Sequence, residues 1–204
     1  MNYTELHLHD HYSALDGLNT PAEYMKRANE IGMTHLAQTN HGTLAGHREF
    51  QTAAMGAGIV PILGVEAYIS ETDRFDKRAK ASRKDGTQVY NHIILLAQND
   101  AGLRNLMKLN EIAWAEGFYH KPRIDFDSLE EHAYGLVMLS GCLNSIICKA
   151  LEGGDMDKAM QTAQRLKSIG GENFYIELHG HYPPEINQGL LLVAVTLGIP
   201  IVAT

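Results

Sequence analysis

A chain of 204 residues can bury one substantial core, and 45% hydrophobic with 20% charged residues is the balance of an ordinary globular domain. The net charge of −7 argues against nucleic acid coating the whole surface, so any such contact must be local. No apolar run approaches the ~18 residues of a membrane span, the opening MNYTELHLHD is not a secretory signal, and the cytoplasm is the expected compartment. Cys142 and Cys148, six apart on one expected helix, do not make a disulfide framework, so free thiols or thiolates are expected.

Tyr3 to Leu8 is the first expected strand. His7 and His9 lie two apart, so on a strand they share one face with about 6.6 Å of rise between them. They suit one metal ion or neighbouring ions, or else form a surface pair. Asp16, before Gly17, either returns to the same place as an oxygen ligand or only makes a turn. Thr20-Pro21-Ala22-Glu23 combines an N-cap hydroxyl, a proline at the first helical position and a glutamate placed to close a capping box, and Gly32 stops that helix. His35 to Thr39 is the next strand. His41 follows it, and Gly42 lets the loop pass close to a ligand, although a lone His-Gly is weak evidence. Val60 to Ile69 is an apolar strand with one carboxylate inside it. If Glu66 points inward it must be paired, protonated or metal-bound; otherwise it is a salt-bridged strand-end residue.

Ser70 to Asn91 breaks the alternation and holds six of the 17 basic residues, Arg74, Lys77, Arg78, Lys80, Arg83 and Lys84. A structureless stretch of roughly 20 residues is usually functional or mobile. His92 opens the strand Ile93 to Ala97 instead of closing it, which in a strictly parallel barrel puts it at the wrong end. Either the preceding loop climbs back over the site and the strand is irregular, the reading preferred here, or His92 is not a ligand. Asn99-Asp100 caps a helix reaching about Trp114, and Glu116 to Glu131 reads as a surface loop of mixed charge. Leu136 to Ser140 is a strand. Cys142 follows at an expected helix start, where the helix dipole and a metal both favour its thiolate; a buried inert cysteine is the alternative, and is the role expected of Cys148. A helix over Asp155 to Ser168, a strand over Phe174 to Leu178, a helix over Glu185 to Leu197 and a buried strand over Ile199 to Ala203 complete the chain. Such alternation implies an α/β fold whose mainly parallel sheet curls into a barrel of the TIM type, with the site where strands end and βα loops begin.

The series His7-Leu8-His9, Tyr12 to Gly17, Thr39-Asn40-His41-Gly42, Gly64 to Tyr68, His92 to Asn99 and Leu139 to Leu143 resembles the PHP (polymerase and histidinol phosphatase) domain. The nearest version is the one at the N-terminus of bacterial replicative DNA polymerase III alpha subunits. The resemblance implies a distorted (β/α)7 barrel whose cleft holds two to three divalent ions, with His7, His9, Asp16, His41, Glu66, His92 and Cys142 at ligand positions. Zinc, manganese and iron suit that donor set. Glu66 is then the carboxylate bridging two ions and His41 a ligand facing the substrate. The family usually has Asp where Asn40 stands, which removes a charge beside His41 and weakens its orientation. Asp10 and His11 also depart from the pattern, leaving His11 a spare ligand or merely exposed. The family continues into an Asp-x-His motif, so residues 1–204 read as a PHP domain truncated or split before its last two ligands.

The function implied is metal-dependent phosphoester hydrolysis, including 3′-5′ exonuclease proofreading at a DNA 3′ end. Partners would be the remaining modules of the alpha subunit, in cis or as a separate chain, and other replisome subunits, with no membrane. Lys77, Arg78, Lys80, Arg83 and Lys84 are candidates for neutralising phosphates of an incoming single strand, or belong to a solvated loop. Two other readings stand beside this one: a non-catalytic, metal-stabilised docking domain, and a small-molecule phosphatase of the histidinol phosphatase type.

Overall fold

A computed structural model describes residues 3–14, 16–77 and 90–204. Where the sequence carries explicit helix stops and starts, the helices follow them. In α1 (Pro21–Glu30) the Thr20 and Glu23 side chains close the capping box. Asn99 accepts from Gly102 N to start α3 (Asp100–Ala115), and Asp155 caps α6 (Met156–Gly170). Gly198 takes the left-handed conformation that ends α7 (Pro184–Leu197). Two further helices had weak signals. α2 (His47–Ala57) begins after Gly46 with no side-chain cap, and α4 (Phe126–Glu131) lies inside the stretch expected to be a loop. Ser145 caps α5 (Ile146–Glu152), so Cys142 sits in the turn before that helix and not at its first turn.

The strands are β1 (His35–Gln38), β2 (Val60–Ile69), β3 (Asn91–Ala97), β4 (Arg123–Ile124), β5 (Leu136–Leu139), β6 (Phe174–Leu178) and β7 (Ile201–Ala203). They form one curled sheet in the order β1-β2-β3-β5-β6-β7, and β4 pairs with the end of β2. The membership differs from expectation. Tyr3 to Leu8 runs beside β1, with Ala37 N donating to Glu5 O, but makes only an isolated bridge; β4 takes its place in the count. β3 is antiparallel to both β2 and β5, whereas the other pairs are parallel. That reversal removes the difficulty over His92. The first residues of an antiparallel strand lie where its parallel neighbours end, and His92 is registered against Tyr68 near the end of β2.

Side-chain alternation divides the interior in two. Val65, Ala67, Ile69, Ile93 and Leu95 pack outward under α3 to α7, while Ile94, Leu96 and Leu139 face the inside of the curl. Met25, Ala28, Phe50 and Ala54 bury α1 and α2 against Leu36 of β1. The structure corrects two further expectations. Glu116 to Glu131 is not a surface loop, for Arg123 is 0% exposed and donates to Gly117 O and Arg74 O. β7 is an exposed edge and not a buried strand. The sheet is a curled half-barrel, and among the described residues no backbone ladder joins β7 to β1.

The seat of α3 is unusually tight. A Cβ added at Gly102 would lie 1.8 Å from Gly135 O, whereas one at Gly56, in α2, would meet nothing within 4 Å. Gly102→Ala is expected to destabilise the fold by about 3 kcal/mol through overpacking. Gly56→Ala should stabilise it by roughly 0.5–1 kcal/mol through helix propensity. Urea midpoints of the two variants should therefore move in opposite directions.

Candidate metal centre

Glu66 lies on the inward face of β2 at 1% exposure, held there by Glu66 N donating to Thr39 O and by Gly42 N donating to Glu66 O. A bare carboxylate at that depth is costly unless compensated. Around it converge residues from the N-terminal segment, the turn after β1, the start of β3 and the turn after β5. Oε1 faces His92 Nδ1 at 2.9 Å, Cys142 Sγ at 3.1 Å and His7 Nε2 at 3.4 Å. Oε2 faces His41 Nδ1 at 2.7 Å and His9 Nε2 at 3.1 Å. Asp16 extends the second group, its Oδ2 lying 2.6 Å from His41 Nε2. All seven residues singled out in the sequence as metal-ligand candidates therefore meet at one mouth of the curled sheet.

The sequence reading missed a second carboxylate. Glu177, fully buried in β6, approaches His7 Nδ1 at 2.7 Å, His179 Nε2 at 3.1 Å and Thr204 Oγ1 at 2.7 Å, and accepts from Gly141 N. Its signal is the same as that of Glu66: an acid inside an apolar strand, here with a histidine two residues on. Ser13 was also overlooked. Its Oγ lies 3.0 Å from His9 Nδ1 and accepts from His41 N, fixing the approach of both.

The Asn40 departure has a different consequence from the one expected. Asn40 does not face the His41 ring. It brackets the fully buried Asp10, donating from Nδ2 to Oδ1 and accepting from Asp10 N, while Gln38 donates to the other oxygen. The carboxylate absent at position 40 is thus present across the same contact at position 10. His11 is exposed, packed on Tyr12, and joins none of the candidate metal groups. Lys77 is exposed, and Arg78, Lys80, Arg83 and Lys84 lie outside the described residues. Arg74 is already paired with Glu116 and Asp125.

The electrostatics are those of a site made for cations. Burial pushes the Glu66 carboxyl up, but the surrounding imidazoles outweigh it and hold the group well below the usual carboxylate range. Glu177 is likewise opposed by burial, yet His179 and His7 hold it at about 2. For His7, burial pulls down and the carboxylates of Glu177 and Glu66 push harder, raising it to about 10. Burial and the Glu66 charge push the Cys142 thiol up, so the expectation of a dipole-favoured thiolate fails; it ionises readily only with a cation beside it.

The donor set fits a bound metal. His41 Nδ1 and Glu66 Oε2 are buried and 2.7 Å apart, yet neither atom has a hydrogen-bond partner. Four ligand trios lie close enough to grip an ion: His7-His9-Glu66, His41-Glu66-His92, His9-Asp16-His41 and His7-Glu177-His179. Glu66 belongs to two of them, and in each one imidazole faces Oε1 and the other faces Oε2.

Comparison with known proteins gives the family and the fold. The family model described as "PHP domain" matches residues 5–181. The chain is 38% identical to the DNA polymerase III subunit alpha of Aquifex aeolicus over 100% of its own length and 18% of that protein. For the same subunit of Borreliella burgdorferi the figures are 36%, 98% and 17%. The chain therefore spans under a fifth of these relatives. Among solved structures, a two-domain protein from Bacteroides vulgatus, described as containing a predicted PHP-like metal-dependent phosphoesterase, superposes with a TM-score of 0.54. It is 17% identical and covers 97% of this chain and 49% of that one.

Cation binding has to displace the protons on His7 and Cys142, so affinity for Zn²⁺ is expected to rise with pH. Cys142→Ser should lower the slope of log affinity against pH by about one, since one fewer proton is released. Calorimetric titration in two buffers of different ionisation enthalpy measures that proton count, and an unchanged count would contradict the assignment of Cys142.

Proposed function

The chain belongs to the PHP domain family, and from that premise we propose that it is the metal-dependent phosphoesterase domain of a replicative DNA polymerase III alpha subunit. The observation that carries this reading is the Glu66 carboxylate, whose two oxygens face separate groups of nitrogen and sulfur donors. Bound divalent cations, zinc with manganese or iron and two to three in number, would supply the Lewis acidity that lowers the pKa of a water and neutralises charge on phosphoryl and leaving oxygens. Glu66 would bridge two of these positions. Ser13 and Glu177 orient the rings of His9 and His7 through their Nδ1 atoms, leaving each Nε2 directed at the centre. His41 and Asp16, the more open members, face the mouth through which substrate would enter.

Within this reading the substrate is a DNA 3′ end and the reaction is 3′-5′ exonucleolytic hydrolysis. The remaining polymerase modules follow in cis or as a partner chain, with an Asp-x-His pair from the continuing polypeptide completing the donor set and other replisome subunits nearby. The cytoplasm is the compartment such a protein would occupy; among the described residues no helix is long and apolar enough to cross a membrane. Exposed apolar side chains Leu191, Leu192 and Val195 on α7, and Ile201 on β7, favour docking against another module and are compatible with either a catalytic or a purely docking role.

Hydrolysis of single-stranded DNA 3′ ends and of a phosphate monoester, measured with Mn²⁺ or Zn²⁺ for this chain and for the full alpha subunit, separates the readings. The DNA end should be preferred, and Glu66→Gln should lower its hydrolysis by more than about 100-fold. Preference for the monoester would indicate a small-molecule phosphatase, and metal binding without turnover in either protein would indicate a docking domain.

A further inference from the structure

An aromatic pair beside the metal centre has no role in the reading so far. Trp114, in the last turn of α3, and Phe118, in the loop beyond it, stack with ring centroids 5.5 Å apart and planes 17° apart, yet are 50% and 46% exposed. The indole is fixed in place: its Nε1–H donates to Gly42 O at 3.0 Å. Gly42 directly follows His41 and is wedged so closely that a Cβ there would lie 2.7 Å from the Tyr68 ring. The platform is thus tied to the backbone one residue from an imidazole of the metal centre.

The neighbouring turn adds charge. Lys121 holds its ammonium 5.2 Å from the centroid of the Tyr68 ring, on which His41 stacks at 5.9 Å and His92 and Tyr90 pack edge-on at 5.2 and 5.0 Å. The turn bearing Lys121 is strained. His120 has φ +61°, the one positive φ outside glycine among the described residues, and Tyr119 N donates to Lys121 O across it. Buried Arg123 anchors the loop from beneath through the carbonyls of Gly117 and Arg74. Such backbone persists where its surroundings over-determine it.

We propose that Trp114 and Phe118 form a stacking platform for a nucleobase adjoining the reacting phosphate, with Lys121 facing the phosphate backbone. This rests on the phosphodiesterase reading for the chemistry at the metals and extends it to the substrate class: a single strand, whose unpaired bases have free faces. Two rings tied to Gly42, a cation over Tyr68 and a metal centre at His41 suit a base together with its phosphates. A protein partner would need a broader apolar patch. Base stacking on aromatic side chains tolerates any sequence, as a non-selective end-binding site requires.

Trp114 is the only tryptophan of the chain, so its emission reports the platform directly. Titration of the 204-residue chain with an eight-nucleotide oligothymidylate should quench that emission, and an oligomer of the same length with abasic sugars should quench it far less. Phe118→Ala, whose folding is checked by circular dichroism, should weaken oligothymidylate binding by roughly tenfold and leave abasic binding unchanged. Equal quenching by the two oligomers, or binding unaffected by Phe118→Ala and by Trp114→Phe, would overturn the platform. Stacking needs no turnover, so quenching would sustain the platform even where neither this chain nor the full alpha subunit hydrolyses a phosphodiester, the result that overturns the catalytic reading instead.

Discussion

The arrangement of the site depends on the cost of burying one carboxylate. Glu66 sits at 1% exposure on the inward face of a strand, where an uncompensated negative charge could not remain. Compensation comes from His7, His9, His41 and His92, with the Cys142 thiol alongside, and these arrive from parts of the chain up to 135 positions apart in sequence. Curling the sheet brings strand ends and following turns to one mouth. Reversing β3 is what allows His92 to join them.

A second carboxylate repeats the arrangement and joins the two halves. Glu177 in β6 and Glu66 in β2 both contact His7, one at each ring nitrogen. That single imidazole spans the side of the curl where no ladder joins β7 to β1, so contacts between charged groups draw together sheet ends that backbone hydrogen bonds leave apart. Such a join is sensitive to what occupies the site. Cations at the mouth would neutralise the same carboxylates that protonated His7 serves in their place, which couples metal binding to the stability of the fold.

Much of this was legible in the sequence, for identifiable reasons. Val60 to Ile69 and the α1 capping box carry local signals strong enough to fix elements without tertiary information, and the acid inside the former marks Glu66. The direction of β3 was not legible, because apolar periodicity is the same read either way along a strand. Arg123 was taken for a loop residue because burial of a guanidinium is decided by distant carbonyls, those of Gly117 and Arg74. Helix α2 lacks a capping side chain, and Cys142 was assigned to a helix whose true start is marked by Ser145. Glu177 carries a local signal equal to that of Glu66, an acid inside an apolar strand, and is legible from the sequence on the same ground.

The central claim, that the two oxygens of Glu66 serve two cations, is tested most directly by anomalous diffraction from crystals of the chain grown with Zn²⁺. The account predicts two anomalous peaks, one about 2.0–2.2 Å from each Glu66 oxygen, one beside His92 and Cys142 and the other beside His9 and His41. A single peak bound through one oxygen, or peaks elsewhere with Glu66 contacted only by the imidazoles and the Cys142 thiol, would contradict it.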